Sequence, residues 1–511
     1  MKFSIPVNLL KTIIKLEKNQ FEVFMVGGSV RDLLLEKQPQ DWDLTTNAEP
    51  EQILEIFSGA KYKNEFGTVL IPEKYLGRAV GERDEGFFEV TTYRKEGVYQ
   101  DKRRPDKVVF TDKLEADLKR RDFTINALAM RIKDVSKLLK KAGKAILLKV
   151  DLKKSDFEII DNFQGQEDLK KKLIRTVGLP EDRITEDALR MMRAIRLAVQ
   201  LGFRIEKKTL KTIKSNAKDL KYVSQERIKE EFEKIILSQA PAQGVELLME
   251  TGLIDEVIPE LGKTVDVRQN YHHYHGPFNT VYKHLIASLE KCPSKKLEVR
   301  LASFLHDIGK PGVKEGRGYK ASFHNHEYLG ARITRKILER LKFSREVIEK
   351  TVLLVKNHMF YYNVDEVGEA GVRKVIQKVG LENINDLIDV RIADRLGSGV
   401  PKAVPYKLRH FKYMVEKVSH DPVSVKQLKI NGAELMDELK IKPGPKIGAI
   451  LEGLLAEVIE DPKLNKQKAL LSRAQELVKK DLKAIKKTAK EKIKKTQKEK
   501  DRSIKKRYYV Q

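Results

Sequence analysis

The stretch FMVGGSVRDLLLEKQPQDWDLTTNA, from Phe24 to Ala48, decides the reading. Val23 to Val26 is a short apolar run that ends at Gly27-Gly28, so it reads as a buried strand closed by a tight turn. SVRDLLLE then spaces its leucines as a helix does, with Ser29 standing where an N-cap belongs. DWDLTT, Asp41 to Thr46, alternates as a strand. Two apart on a strand, Asp41 and Asp43 point to one face. Two carboxylates on one face repel unless a cation lies between them, and hard oxygen ligands beside water and phosphate suit Mg²⁺. Gly27-Gly28 lets the backbone approach a phosphate, and the helix start behind it offers free N–H groups. Arg31, one turn in, adds a charge-assisted contact. Alone, each motif is an ordinary turn; thirteen residues apart around strand, turn, helix and strand, they reinforce each other.

Working outward, FGTVLI from Phe66 and FFEVTTYR from Phe87 read as further strands, which makes residues 1–158 an α/β head. Within it, residues 133–156 are Lys-rich and irregular and read as an insertion in a loop or hairpin. From Asp161 the apolar residues recur three and four apart, punctuated by Pro180, Pro241 and Pro259, so residues 159–265 form a helical unit. All ten histidines follow residue 271, and eight fall between His272 and His358, which sets off residues 266–420. Residues 421–511 are helical again and end basic, with 15 Lys/Arg against 5 Asp/Glu from Glu476 onward. The expected class is α+β and multidomain.

Composition sets the partners. The 511 residues suffice for three to four domains, and 41 % hydrophobic residues exclude wholesale disorder. A net charge of +27 attracts polyanions, nucleic acid first and an anionic membrane face second. One cysteine, Cys292, excludes a disulfide within the chain and a cysteine-based zinc site, and suggests a reducing, cytoplasmic setting. Lys11 and Lys15 interrupt the N-terminal apolar pattern, so no signal-peptide core is expected, and no apolar run is long enough for a transmembrane helix.

Four later stretches carry the rest. They are KRRDFTINALAM (Lys119 to Met130), IIDNFQGQEDLKKKLIRTVG (Ile159 to Gly178), EDALRMMRAIR (Glu186 to Arg196) and LASFLHDIGKP (Leu301 to Pro311). With the opening stretch, their order resembles the class II tRNA nucleotidyltransferase and bacterial poly(A) polymerase superfamily. The resemblance implies a polymerase-beta-like head followed by mostly helical neck, body and HD domains. It implies that Asp41 and Asp43 are the catalytic carboxylates holding Mg²⁺, that Gly28 and Arg31 contact the nucleotide, and that Arg121 and Asp122 bind its ribose. Glu89 is the candidate third carboxylate. Leu197 departs from the family, which has Phe there, and should alter packing rather than chemistry.

Asp187 and Arg190, three apart, share a helix face and set an acceptor beside a donor fork. Cytosine and adenine match that pair, whereas guanine and uracil leave polar groups unpaired at about 1–3 kcal/mol each. The commoner meaning of such spacing is a salt-bridged helix face, and the resemblance reverses that preference. Arg193 and Arg196 continue the face and suit the triphosphate or the orienting of Asp187. The resemblance therefore implies addition of the 3′-terminal CCA to tRNA from CTP and ATP, with poly(A) or A-only addition as the alternative. FGTV and the loop from Tyr93 to Lys107, with Arg103, Arg104, Pro105 and Asp106, look more like the CCA-adding members.

His284, His306, Asp307, His326, His358 and Asp394 follow the order of an HD phosphohydrolase domain. Imidazoles and carboxylates together suit a divalent transition metal, whose bound water attacks phosphoesters. His272, His273, His275 and His324 are left unassigned. A rival reading from another class is a metal-dependent phosphohydrolase whose N-terminal half only binds RNA. IKPGPKIGAILEGLLAEVIEDPKLN (Ile441 to Asn465) also resembles HD-containing CCA-adding enzymes, whereas the Lys-rich end lies outside the resemblance.

Overall fold

The structure, a computed structural model, describes residues 3–64, 67–72, 86–96, 108–145, 149–269, 279–400, 403–419, 425 and 428–510. Phe66, most of the 93–107 loop, and His272, His273 and His275 lie outside the described residues.

The head is built on a seven-stranded sheet. Its strands are β2 (Val23–Val26), β3 (Asp43–Thr46), β4 (Lys61–Asn64), β5 (Thr68–Pro72), β6 (Phe87–Thr92), β9 (Ala129–Ile132) and β11 (Phe157–Ile160), in the order β11-β9-β2-β3-β6-β5-β4. Only β3 and β6 run parallel, and their register sets Asp43 opposite Glu89. A side ribbon pairs β7 (Arg94–Glu96) with β8 (Val108–Phe110). α1 (Val7–Lys18), α2 (Gly28–Leu34), α3 (Pro50–Ile56) and α4 (Leu114–Lys119) complete the opening part of the head.

Three local readings change. Ser29 is not the N-cap of α2: Gly27 is, and the Ser29 hydroxyl is buried, donating back to the Val26 carbonyl at 2.9 Å. β3 begins at Asp43, with Asp41 on the bend before it; buried Trp42 between them anchors that bend. The Lys-rich segment, expected to be irregular within a loop or hairpin, is regular. It forms the helix α5 (Val135–Ala145), packed on α1, and the strand β10 (Lys149–Leu152), paired antiparallel with β1 (Phe3–Pro6). Val135, Leu138, Ala142, Val150 and Leu152 are buried while Lys137, Lys140, Lys141, Lys149, Lys153 and Lys154 are exposed. Lysine-rich composition masked an amphipathic helix and an alternating edge strand.

Helices follow from residue 165. α6 (Gly165–Lys171), α7 (Pro180–Glu186), α8 (Leu189–Leu201), α9 (Lys207–Asn216), α10 (Gln225–Ile236), α11 (Pro241–Thr251) and α12 (Ile254–Val257) form the neck and body. Pro180 and Pro241 sit at the first helical position, where a missing N–H costs nothing. α13 (Val281–Glu290), α14 (Leu297–Leu305), α15 (His326–Arg340), α16 (Arg345–Asn357), α17 (Glu369–Val379), α18 (Ile384–Gly397) and α19 (Tyr406–Ser419) carry the histidines. α20 (Gly432–Leu439), α21 (Pro445–Glu460), α22 (Gln467–Val478) and α23 (Leu482–Arg507) close the chain.

One apolar core runs from Ile5 and Met25 in the head through Met192 and Phe232 to Leu285 and Phe304. A second gathers Val299, Leu354, Val390 and Phe411, and a third Leu435, Ile450, Leu454 and Leu470. Leu197 is buried in the first. Among the described residues, no helix is long and apolar enough to cross a membrane.

Because Leu152 is fully buried, Leu152→Ala should cost the head about 2–5 kcal/mol, read as a lowered melting temperature. A loss near zero would return residues 149–152 to the status of a surface insertion.

Candidate active site

Where β2 ends, Gly27 takes a φ of +72°, open to glycine. A Cβ there would come within 2.8 Å of an Arg121 guanidinium nitrogen and 3.7 Å of the Asp43 carboxylate. The glycine therefore lets an arginine and a carboxylate meet beside the backbone. This meeting opens into a cavity of about 360 Å³, lined by Gly27, Gly28, Asp43, Asp122, Asn126 and Asp187 with Arg94, Arg120, Arg121, Arg190, Arg193 and Arg227. Six guanidinium groups line it against three carboxylates; Asp117 and Glu186, outside the lining, pair Arg120, Arg121 and Arg190 from behind, and the arginine forks suit a triphosphate.

Asp43 is the electrostatically uneasy member. Burial pushes its carboxyl up to about 6; Arg121 opposes that shift, while the charges of Glu89 and Asp41 add to it. Glu89 itself pairs with Lys63. Three carboxylates thus cluster at the end of the parallel β3–β6 pair. Their donor set is all oxygen, and their mutual repulsion is what a divalent cation would offset, so they fit Mg²⁺.

Asp122 follows α4 and is buried. Burial alone would raise its pKa, but Arg193 and Arg190 outweigh it and hold the group below the usual carboxylate range. It accepts from the Phe123 N–H at 2.8 Å, from the Asn126 side chain at 3.1 Å and from Arg193 at 2.7 Å. Arg31 reaches Asn126 at 2.7 Å and Asp32 at 2.8 Å, so it props Asn126 rather than lining the cavity. Arg31, Asn126, Asp122 and Arg193 form one continuous chain of contacts joining α2 to α8.

Asp187 and Arg190 both line the cavity, but not as one helix face. Asp187 caps the C-terminal end of α7, in extended backbone, and α8 starts at Leu189. Its carboxylate accepts from the Leu189 N–H at 3.1 Å and from both terminal nitrogens of Arg227, at 3.3 and 2.7 Å. Arg190 donates to the Arg183 and Arg120 carbonyls, each at 3.1 Å, and pairs with Glu186. Helix start and helix end meet here because Asp187 exchanges the helical ladder for the capping bond. Arg193 turns to Asp122 instead of Asp187. Arg196 lies outside the cavity lining, bound to Glu231 and, at 3.1 Å, to Gln200. Of the two roles expected for Arg193 and Arg196, the triphosphate or the orienting of Asp187, the second falls to Arg227. Arg227 lies on α10, outside every quoted motif, and its signal was the Arg227/Glu231 pair one turn apart, which serves two different partners.

The histidine cluster is a separate centre. His306 ends α14, His326 begins α15, His358 ends α16, His284 lies on α13 and Asp394 on α18. All six predicted side chains come together and are buried. Asp307 sits in the middle: one oxygen is 3.4 Å from His284 and His306, the other 3.1 Å from His326 and 3.7 Å from His358. Asp394 lies 3.3 Å from His284. The Nδ1 atoms of His306, His326 and His358 face the backbone carbonyls three residues earlier at 2.9, 2.7 and 2.7 Å. A proton on Nδ1 there leaves Nε2 bare and aimed inward, the form a metal binds. Buried Lys310, missed in the sequence although it closes the HDIGK stretch, reaches Asp307 at 2.6 Å and Gln269 at 2.9 Å. Burial would raise the Asp307 pKa, but Lys310 and His306 outweigh it and hold the group ionised. His324 is exposed and stands apart from this centre.

The raised Asp43 gives a signed stability prediction. Its folded pKa of about 6 lies above the unfolded value, so the ionised carboxylate is held at a cost above that pH, and the cost fades as pH falls toward 4. With metal chelated, Asp43→Asn should be more stable than the parent at pH 8 by about 1–3 kcal/mol, with the gap closing near pH 4. Thermal melts across pH in EDTA check this; equal melting temperatures at pH 8 would refute it.

Three family models match the chain. They are the "Poly A polymerase head domain" over residues 23–175, the "Probable RNA and SrmB- binding site of polymerase A" over 202–264, and tRNA nucleotidyltransferase domain 2 over 329–474. The CCA-adding enzyme of Ligilactobacillus salivarius is 34 % identical over 487 residues, covering 93 % of this chain and 98 % of that protein. The one from Lactobacillus delbrueckii subsp. bulgaricus is 32 % identical over 459 residues, covering 89 % and 94 %. Among solved structures, the Bacillus stearothermophilus CCA-adding enzyme in complex with CTP matches with a TM-score of 0.55 at 25 % identity, covering 92 % of this chain and 96 % of that one. An arginine-walled cavity with carboxylates at a strand end, relatives aligned along almost their whole length and three family models in order lead to one statement: the chain belongs to the family of CCA-adding enzymes.

Proposed function

We propose that this protein builds or repairs the 3′-terminal CCA of tRNA from CTP and ATP, in the cytoplasm where its substrate is. The observation that carries the reading is the shared cavity of Asp43 and Asp187, which joins a carboxylate cluster to a base-sized acceptor through a wall of arginines. In the reaction, the tRNA 3′-oxygen bonds to the α-phosphorus of the nucleotide. The bond from that phosphorus to the β-phosphate's bridging oxygen breaks, and pyrophosphate leaves. Asp41 and Asp43, with Glu89 as the third carboxylate, are the residues to hold Mg²⁺, which when bound supplies charge neutralisation for the phosphates. Arg121 and Arg193 face the same space and suit the triphosphate. Asp187 offers the acceptor and Arg190 the donors that cytosine and adenine share, while Arg227 fixes the carboxylate's plane. Asp122 is already saturated by Arg193, Asn126 and the Phe123 N–H, so its role is to position Arg193 rather than to bind ribose.

The histidine centre supports a second activity, metal-dependent phosphoester hydrolysis. Its four imidazoles and two carboxylates favour a transition metal over Mg²⁺, and a divalent metal bound there would lower the pKa of its water.

A sequencing-gel assay on tRNAs ending before A, CA and CCA, with each nucleotide supplied singly, tests the main reading. The expected pattern is C, C, A and then arrest; a long A ladder would favour poly(A) synthesis instead. Asp43→Ala should abolish addition. Arg227→Ala should slow C and A incorporation about 10–100-fold and raise misincorporated U and G, because a freed Asp187 no longer penalises the wrong edge. Addition at parental rates by Asp43→Ala would leave the hydrolase reading as the alternative. His306→Ala should lose bound transition metal by elemental analysis and lose phosphoester hydrolysis while keeping CCA addition.

A further inference from the structure

The basic C-terminal segment is a helix held at both ends. Near its start, α23 buries Ile485 in the third core. Near its end, Ile504 enters the second core, followed by Val510. Tyr413 on α19 bonds Asp501, and Arg507 pairs with Glu416. α23 is thus a fixed strut between the C-terminal helices and the histidine-bearing unit, and its lysines are displayed on a rigid frame.

Between α23 and α19 lies a groove of about 820 Å³. Lys417, Lys494, Lys498, Arg502, Lys505 and Lys506 line it, with Asp501 as the sole carboxylate among the lining residues. Asp501 is already taken by Tyr413 and lies 3.8 Å from Lys417. Among the described residues, Lys494, Lys498, Arg502 and Lys506 enter no ion pair. These four recur at every fourth position, so they form one ridge with steps of about 6 Å along the helix axis. That step is comparable to the one between successive phosphates of a nucleic-acid strand. Like charges four apart destabilise a helix, so this ridge carries a repulsion that counter-charge would relieve. The family models end at residue 474, before α23 begins.

We propose that the α19–α23 groove docks the sugar–phosphate backbone of the tRNA substrate, as an electrostatic contact made without reading bases. This rests on the proposed CCA-adding function, which supplies the polyanion. The groove fits a phosphodiester backbone better than an acidic protein segment. Its cations are spaced along a line, and Val510 is the one apolar side chain among the lining residues, too few for the anchors a protein segment would need.

The test is tRNA binding by the full-length protein against salt concentration. In Lys494→Gln/Lys498→Gln/Arg502→Gln, three phosphate contacts are removed. The Kd for tRNA should rise about tenfold or more at 50 mM salt, and the slope of log K against log salt should become shallower by about 2–3. Lys494→Arg/Lys498→Arg should retain the parental slope. A charge-matched control, Lys336→Gln/Lys342→Gln/Lys374→Gln, alters exposed lysines outside α19 and α23 and should stay near the parental Kd. Melting curves verify that each variant is folded. A parental Kd and slope in the groove variant, or an equal loss in the control, would overturn the proposal. Incorporation of C and A by the parental protein is measured on the same tRNA; its absence would refute the CCA-adding reading, independently of the slope.

Discussion

The ion pair between buried Asp122 and part-exposed Arg193 ties the α/β head to the helical body. Asp122 comes from the segment after α4, Arg193 from the middle of α8, and they meet at 2.6–2.7 Å. Both groups are held firmly ionised: the Arg193 pKa is raised, chiefly by Asp122. Such a pair adds little net stability, because Arg193 is partly screened by solvent, but removing Arg193 would leave the Asp122 charge buried without its main partner. Its value here is register. The same α8 turn carries Arg190, whose guanidinium reaches back to the Arg120 carbonyl beside Asp122. Sliding α8 by one turn would unpair both contacts, so the arginines cannot drift relative to the sheet end that bears Asp43.

That register lets two opposed electrostatic environments share a wall. At the β3–β6 end, burial and the charges of Glu89 and Asp41 outweigh Arg121 at Asp43; across the cavity, the lining is rich in arginine. A metal-bound triphosphate complements both at once, because its cation answers the first and its phosphates the second. The histidine centre solves a related problem differently. There Asp307 is already surrounded by Lys310 and imidazoles, and the backbone carbonyls preset which nitrogen faces inward. One centre is poised by a carboxylate that burial disfavours and the other by preset tautomers, which suits a cation that arrives with each substrate and one that resides.

Most of this was legible in order and spacing. Gly27-Gly28 and the Asp41/Asp43 pair lie in one compact stretch, the six metal-type ligands follow a recognisable order from His284 to Asp394, and the structure gathers each set. What was not legible depends on non-local partners. Asp187 and Arg190 read as one helix face, yet the chain breaks its helix at Asp187, and the carboxylate is held by Arg227 from α10, forty residues on. Arg196 has the same spacing as Arg193 but faces Glu231 in the core. Periodicity says which residues share a helix face; it does not say what that face meets. The Lys133–Asp156 segment failed for another reason. Lysine stems cover apolar surface while their charges reach water, so composition alone hid α5 and β10.

The division of cations between sites carries the last step. All six positive side chains lining the nucleotide cavity are arginines, and five of the six lining the α19–α23 groove are lysines. Arginine's planar fork holds a fixed orientation through paired bonds, as Arg193 does on Asp122 and Arg227 on Asp187. Such geometry is needed where one base must be told from another. Lysine is a mobile point charge that follows a phosphate without fixing its angle, and it suits a surface that must accept any tRNA sequence. The net charge of +27 therefore divides by chemistry as well as by place. On the proposed function, arginine is concentrated where one base is told from another, and lysine where the substrate is only held.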